Sequence, residues 1–404
     1  MVDKKNFSFK ILSQDKKSLA RAGIIHTRSG KIETPYLVPV ATRGFIISLT
    51  PKDYKKLKIQ ALLANTYHLH FMPPGDEEIK KAGGLHKTMQ FSKPIFTDSG
   101  GFQALSLGIG RQRNMRKLGF FPKDREISQE ENNESFAEMT PEGIMFTSTY
   151  NKEKRFISPK KSMEIQSNLN SDIIMAFDQC NCAGDTKKET LEAMNRSHLW
   201  EIESLTHHNK SQALYGIIHG GAFPDLRKKS TRFIKSKDFE GIAVGGSLGK
   251  TKSDMYSLLS IIMQDLHEDK RPRHMLGIGW VDDIFECVSL GMDTFDCVEM
   301  TRIARHRSVY ISPESGGSKI NHFKTRVNQT NFSTSKKIDK LCKCPTCKKF
   351  NRKQFYELYL KDRRLFNHYA TMHNIFFMAT LMECIRKSIK QGKFQQLKKK
   401  WLKD

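Results

Sequence analysis

Ile95-Phe-Thr-Asp98-Ser-Gly-Gly-Phe102-Gln103 is a short apolar run that stops at an acid and two glycines. It reads as a strand that ends in a site. Asp98 stands where such a strand would leave a core, and Gly100 and Gly101 permit a tight turn or close approach of the backbone to a ligand. Phe102 offers a flat face for stacking. Taken alone, the stretch is equally a strand capped by an ordinary Asp-Ser-Gly-Gly turn, so its meaning depends on whether other strands end in the same way.

They do. Eight short apolar or β-rich runs recur, at Tyr36 to Val40, Ala61 to Ala64, Ile95 to Thr97, Ile173 to Phe177, Ala213 to Ile218, Gly241 to Val244, His274 to Gly277 and Thr294 to Asp296. Helical stretches such as Pro51 to Leu57, Lys187 to His207 and Val281 to Leu290 lie between them. Alternation of this kind predicts an α/β fold, and eight repeats predict a (β/α)8 TIM barrel, whose chemistry sits where strands run into loops. The strand ends supply Asn65, Asp98, Asp178, His219, Gly245, Gly246 and Asp296. A doubly wound open sheet is the alternative, because periodicity does not prove closure.

The repeats are unevenly spaced. Gly108 to Lys161, between the third and fourth strands, is a long charged insertion expected to hold a small hairpin around Gly143 to Thr147 and Phe156 to Ser158, with a flexible part near Gln129 to Glu134. It reads as solvated surface rather than a lid. The expected division is a catalytic barrel over 1–311 with this insertion at about 108–161, followed by a cysteine-bearing subdomain and basic helix over 312–404. In that second part Asn351 through Ile389 reads as helix, and Arg386 to Lys403 as a basic tail with Phe394 and Trp401 interleaved, most simply a solvated helix end.

Lys plus Arg number 68 against 43 Asp plus Glu, a formal net charge of +25, which suits a polyanionic partner. The 404 residues contain eight cysteines, too few for a disulfide framework, and three are bunched as Cys342-Lys-Cys344-Pro-Thr-Cys347. Thiolates so spaced converge on a tetrahedral zinc; either His368 or His373 completes the set, and four protein ligands would make the Zn2+ structural. Cys180, Cys182, Cys287, Cys297 and Cys384 are expected to be buried small hydrophobes. With no apolar leader and no run able to cross a bilayer, the chain is expected to be cytoplasmic.

With these features placed, the chain resembles the tRNA-guanine transglycosylase (queuine tRNA-ribosyltransferase) family. The resemblance is carried by Asn65-Thr-Tyr-His68, Asp98-Ser-Gly-Gly-Phe102-Gln, Met175-Ala-Phe-Asp178-Gln-Cys180, Gly245-Gly246, Gly291-Met-Asp-Thr-Phe-Asp296, Thr301-Arg302, the cysteine run and Met372-His373-Asn374. It implies a barrel with a zinc subdomain that exchanges guanine at the wobble position of tRNAs with a GUN anticodon for queuine or its precursor preQ1. It further implies Asp296 as nucleophile, Asp98 as general acid/base, and Ser99, Gly100, Gly101, Phe102, Asp178, His219, Gly245 and Gly246 as base-binding residues. Gly277, Ile278, Gly279, Trp280, Val281, Asp282 and Asp283 would hold RNA, as would Thr301, Arg302, Ile303, Ala304 and Arg305. His373 would be the fourth zinc ligand beside Cys342, Cys344 and Cys347, and the chain would act as a homodimer.

Three departures bear on the incoming base and the RNA. His219 stands where the family usually has Gln, which removes a two-pronged amide. Gly245-Gly246 is followed by Ser247-Leu-Gly-Lys-Thr251 rather than Leu-Ala-Val-Gly-Glu, which widens the pocket and omits an acid suited to a cationic aminomethyl group, favouring queuine over preQ1. Met300 replaces a proline before Thr301-Arg302. A non-catalytic tRNA-binding paralogue and a transglycosylase acting on DNA are the competing readings; the presence of both Asp98 and Asp296 opposes the first.

Overall fold

A strand that is buried on both faces is mostly apolar along its length, and this is how the eight predicted runs behave, with buried polar exceptions such as Thr97, His274 and Thr294 that are hydrogen-bonded. In the computed structural model, which describes residues 6–104, 137–148, 153–181 and 184–403, they form β1 (Tyr36–Pro39), β2 (Leu62–Ala64), β3 (Ile95–Thr97), β4 (Ile173–Met175), β5 (Ala213–Ile218), β6 (Gly241–Val244), β7 (Arg273–Met275) and β8 (Thr294–Cys297). They pair in parallel in the order β1-β8-β7-β6-β5-β4-β3-β2. Beyond the end of β1, a parallel bridge between Val40 and Leu63, with Ala41 N donating to Leu63 O at 2.7 Å, joins the two ends. The fold is therefore a (β/α)8 barrel rather than an open sheet.

A three-stranded antiparallel sheet, Phe7–Gln14, Arg21–Thr27 and Gly30–Thr34, closes the bottom of the barrel. Phe7, Ile25 and Ile32 join Val38, Phe96, Tyr215 and Ala243 in one buried cluster. Arg21 fixes this cap through two bonds to Asp293, just before β8, Nε to Oδ1 at 2.9 Å and Nη2 to Oδ2 at 2.6 Å. The pair is buried and Asp293 also accepts from Arg273 N, so the charges are compensated where the strands begin. Only the carboxyl ends of the strands are left for a site.

Of the insertion, the described part is a three-stranded meander, Ala137–Met139, Ile144–Thr147 and Lys154–Ile157, one strand more than the expected hairpin. The segment near Gln129 to Glu134 lies outside the described residues. The predicted single helix through Ile389 is two, Arg352–Lys361 and Arg363–Lys390, broken at Asp362, whose side chain caps the second by accepting from Leu365 N at 2.9 Å. Asn374, in the middle of the long helix, staples it to the barrel: its amide donates to Met300 O and Ser308 O and accepts from Tyr310 N.

The tail is not a solvated helix end. Arg386 is buried and donates to Pro35 O at 2.9 Å. Helix Phe394–Leu402 folds back so that Trp401 meets Phe285, Phe323 and Phe377 with ring centroids 5.7–6.1 Å apart. Burying that aromatic surface outweighs hydration of a helix whose lysines still reach water, because lysine stems lie along the surface with their heads free.

Candidate active site and metal centre

A cavity of about 1110 Å3 opens at the carboxyl ends of the strands, and Asp98, Asp178 and Asp296 all line it. Three acids drawn from β3, β4 and β8 thus face one space. The turn after β3 explains how Asp98 is presented. Gly100 has φ +82°, a conformation that side chains rarely adopt, and a Cβ on Gly101 would lie 2.6 Å from Asp178 O. Both glycines are required for β3 to turn against β4. Phe102 and Gln103 follow on the cavity wall.

Asp98 Oδ1 accepts from Thr66 N at 2.8 Å, and Oδ2 accepts from the amide of Asn65. Asn65 is itself held, since its Oδ1 caps the helix Thr66–Phe71 by accepting from His68 N. Burial pushes the Asp98 carboxyl up to about 7; the Thr66 N–H opposes the rise and the nearby Asp296 carboxylate adds to it. A carboxyl so poised exchanges protons near neutrality.

Asp178 accepts from Ser99 Oγ at 3.1 Å and is likewise raised by burial to about 7. Behind it His219 is fully buried and does not line the cavity; its Nε2 is 3.5 Å from Asp178 Oδ2 and neither ring nitrogen has a hydrogen-bond partner among the described residues. Burial, with Arg227 nearby, holds the ring far below the usual histidine range and hence neutral. Arg227 is a residue the sequence reading passed over. Its guanidinium, fully buried, donates to Ile218 O, Gly221 O, Gly245 O and Ser247 O, and so ties the loop after β5 to the loop after β6. The helix Pro224–Lys235 buries Leu226, Arg227, Ser230, Thr231 and Ile234, a helical face that marks this one basic residue as inward.

Asp296, at the end of β8, accepts at Oδ1 from Gly277 N at 3.0 Å and lies 3.2 Å from His274 Nε2. Of the expected RNA-holding residues, Gly277, Ile278, Trp280, Asp283, Arg302 and Ile303 line the cavity, whereas Gly279, Val281, Asp282, Thr301, Ala304 and Arg305 do not. Val281 and Ala304 are core residues. Lys252, unremarked in the sequence, lies over the Trp280 ring at 4.8 Å and pairs with Asp282 at 2.7 Å and Asp283 at 2.9 Å. Of the expected base-binding residues, Ser99, Phe102, Asp178 and Gly246 line the cavity, and Gly100, Gly101, His219 and Gly245 stand behind it.

Away from the cavity, Cys342, Cys344, Cys347 and His373 bring their ligand atoms within 4.8 Å of one another. A tetrahedral zinc with Zn–S near 2.3 Å needs sulfurs about 3.7 Å apart, so the donor set fits. His373 Nε2 donates to Tyr310 O at 2.8 Å, which leaves the Nδ1 lone pair directed at Cys347 Sγ, 3.2 Å away. His368 is not among the residues whose donor atoms converge there; its Nδ1 donates to Ser48 O at 2.9 Å. Cys287 and Cys297 are buried as expected, while Cys180 lines the cavity half-buried, Cys384 is exposed and Cys182 lies outside the described residues.

If the cluster is structural, elemental analysis should give about one zinc per chain for the wild type and less than about one tenth for Cys344→Ala, together with a melting transition lowered by several degrees. Unchanged zinc content in the variant would show that the metal is held elsewhere.

Residues 15–404 match the family model described as Queuine tRNA-ribosyltransferase. A protein of Archaeoglobus fulgidus is 43% identical over 389 residues, covering 95% of this chain and 96% of that one. Proteins named queuine tRNA-ribosyltransferase from Roseiflexus sp. and Dictyoglomus turgidum are 36% identical over 408 residues and 37% over 399, with 98% of this chain covered in each case and 99% and 94% of the respective relatives. An eight-stranded barrel whose acids meet at one mouth, beside a Cys3His cluster, and likeness along nearly the whole chain agree: the chain is a pentosyltransferase of the queuine tRNA-ribosyltransferase family.

Proposed function

We propose that this enzyme exchanges guanine at wobble position 34 of GUN-anticodon tRNAs for a 7-deazaguanine base through a covalent ribosyl–Asp296 intermediate. The observation that carries the reading is the difference between two carboxyls in one cavity. Asp296 is held by donors on Oδ1 alone, with no donor on Oδ2 among the described residues. Asp98 is raised to about 7. A carboxylate with one open oxygen suits attack at ribose C1′, and a carboxyl near neutrality suits proton transfer to a departing base and from an arriving one. Two displacements at C1′ return the sugar to its original configuration.

In this reading Asp178 accepts from the N–H edge of the guanine-type base and Phe102 stacks on it. The cavity acids other than these three carry cations already: Asp283 with Lys252 and Glu299 with Lys324. Queuine and preQ1 both carry an aminomethyl nitrogen that is protonated near neutrality, so the preference for queuine rests on room rather than charge: Ser247-Leu-Gly-Lys-Thr251 after Gly245-Gly246 leaves space for its bulkier substituent. With equal concentrations competing for limiting tRNA, queuine should enter at least about fivefold faster, and a preference for preQ1 would overturn the assignment.

The central test is incorporation of labelled guanine into unmodified GUN-anticodon tRNA. Exchange with that RNA and not with a duplex DNA control supports the reading; no exchange removes it. The zinc, the homodimer and a cytoplasmic setting belong to the same proposal. No helix among the described residues is long and apolar enough to cross a membrane.

A further inference from the structure

We propose that His274 is a positioning residue for the nucleophile: held in its Nε2–H tautomer by Thr294, it anchors Oδ1 of Asp296 so that Oδ2 alone is presented to the ribose. The proposal rests on the reading of Asp296 as nucleophile. It is argued from the hydrogen-bond inventory of one buried ring. His274 is fully buried in β7, in register with Thr294 on β8, and Thr294 and Asp296 point the same way because side chains alternate along a strand. Its ring is stacked on Phe96 of β3 across the barrel, 5.5 Å between centroids and 26° between planes.

Each ring nitrogen has one partner among the described residues. Nε2 lies 3.2 Å from Asp296 Oδ1, and a carboxylate oxygen only accepts, so Nε2 carries the hydrogen. Nδ1 lies 2.9 Å from Thr294 Oγ1. The hydroxyl, which has no other partner among the described residues, donates to Nδ1, and Nδ1 accepts. Thr294 thereby sets the tautomer and Phe96 the ring plane, and Gly277 N–H completes the grip on Oδ1 at 3.0 Å.

The chemical consequence has a sign. In the first displacement an Oδ2 lone pair forms the bond to C1′ while the C1′–N9 bond breaks and its electron pair leaves with guanine, which takes a proton from Asp98. Oδ1 becomes the carbonyl oxygen of a neutral ester. In the second displacement N9 of the incoming base forms the new bond, the ester C1′–O bond breaks, and its pair returns to Oδ2; the base proton passes to Asp98. A hydrogen bond to a carboxylate is about twice as strong as one to a neutral carbonyl. His274 therefore favours the free carboxylate over the ester, keeps the intermediate from accumulating, and orients Oδ2 in both steps.

His274→Phe keeps the stack and removes the donor; His274→Gln replaces the donor with an amide. In the phenylalanine variant kcat for guanine exchange should fall about ten- to a hundredfold with KM for tRNA changed less than about twofold. The steady-state fraction of denaturation-resistant protein–RNA adduct should rise about three- to tenfold. Glutamine should return the adduct fraction toward the wild-type value. A purely structural role predicts unfolding or a general loss, not a higher adduct fraction restored by an amide. An unchanged adduct fraction in His274→Phe, or glutamine behaving as phenylalanine, overturns the proposal. Independently of activity, 15N spectra of histidine-labelled protein, assigned with the His274 variants, should show Nε2 protonated and Nδ1 bare. A protonated Nδ1 overturns the proposal even if guanine exchange proceeds. A wild type that neither exchanges guanine nor forms an adduct refutes the function instead, and leaves the tautomer as its own test.

Discussion

Asp296→Asn should lower guanine exchange by at least about a thousandfold and abolish the denaturation-resistant RNA adduct, because it removes the anionic oxygen and little else. The amide oxygen of asparagine still accepts from Gly277 N, and from His274, at the position Oδ1 now holds. The barrel end is thus preserved. What is lost is Oδ2, which has no donor among the described residues and is free to bond carbon. The check is a denaturing gel of enzyme incubated with tRNA, which should show a retarded band for the wild type and none for the variant, with circular dichroism and melting temperature matched. A retained adduct would place the nucleophile on another residue, and Asp98 would be the next to change.

The sequence made the barrel legible for a physical reason. Strands such as Ile173–Met175 and Gly241–Val244 are buried on both faces, so they are unbroken apolar runs that stand out from charged helices. Strand ends were legible in the same way where a polar residue directly after such a run meets the barrel mouth, as Asn65 and Asp98 do and the buried His219 does not. Closure was not legible, since the Val40–Leu63 bridge joins the first strand to the second by register alone.

His274 was opaque for the same reason. Its partner Thr294 lies on another strand, and nothing in a local window links the two. Arg227 was concealed among the cations of Arg227-Lys228-Lys229 and distinguished only by its helical face. The break at Asp362 carries no glycine or proline; only the cap to Leu365 N reveals it. The tail was misread because charge density predicts a solvated face, and the aromatic packing of Trp401 reverses that. The fourth member of the cysteine cluster was open on spacing between His368 and His373, and the fold decides it by bringing His373 to the three thiols and His368 to Ser48 O.

Asp98→Asn should cost about a hundred- to ten-thousandfold in kcat, and its pH behaviour separates Asp98 from Asp178, which is also raised to about 7. The two acids differ in what a bound base does to them. A guanine-type edge would donate to Asp178 and draw it back toward the ionised form, so its titration belongs in KM for the base, which should rise as pH falls below about 7. In the proposed exchange Asp98 is protonated to release guanine and ionised to receive the proton of the incoming base, so its titration belongs in kcat, which should pass through a maximum near neutrality. In the residual activity of Asp98→Asn the kcat maximum should flatten while the pH dependence of KM survives. If both limbs survive, Asp98 does not handle the proton.

Stability supplies a second reading of the same group. A carboxyl raised in the folded state from 3.8 to about 7 stabilises the fold, relative to an exposed aspartate, below its unfolded pKa, and that contribution disappears as pH climbs through the folded value. Three pK units correspond to at most about 4 kcal/mol, and to less here because Asp98 lines an open cavity that water enters. Asparagine has no charge to bury, but its amide meets the donor group of Asn65, which is held the other way round by His68 N. That conflict does not vary with pH. The melting temperature of Asp98→Asn relative to wild type should therefore rise between pH 5 and pH 8, whatever its offset. A difference that stays flat over this window would mean that the wild-type carboxyl is already ionised at pH 5 and cannot serve as the acid.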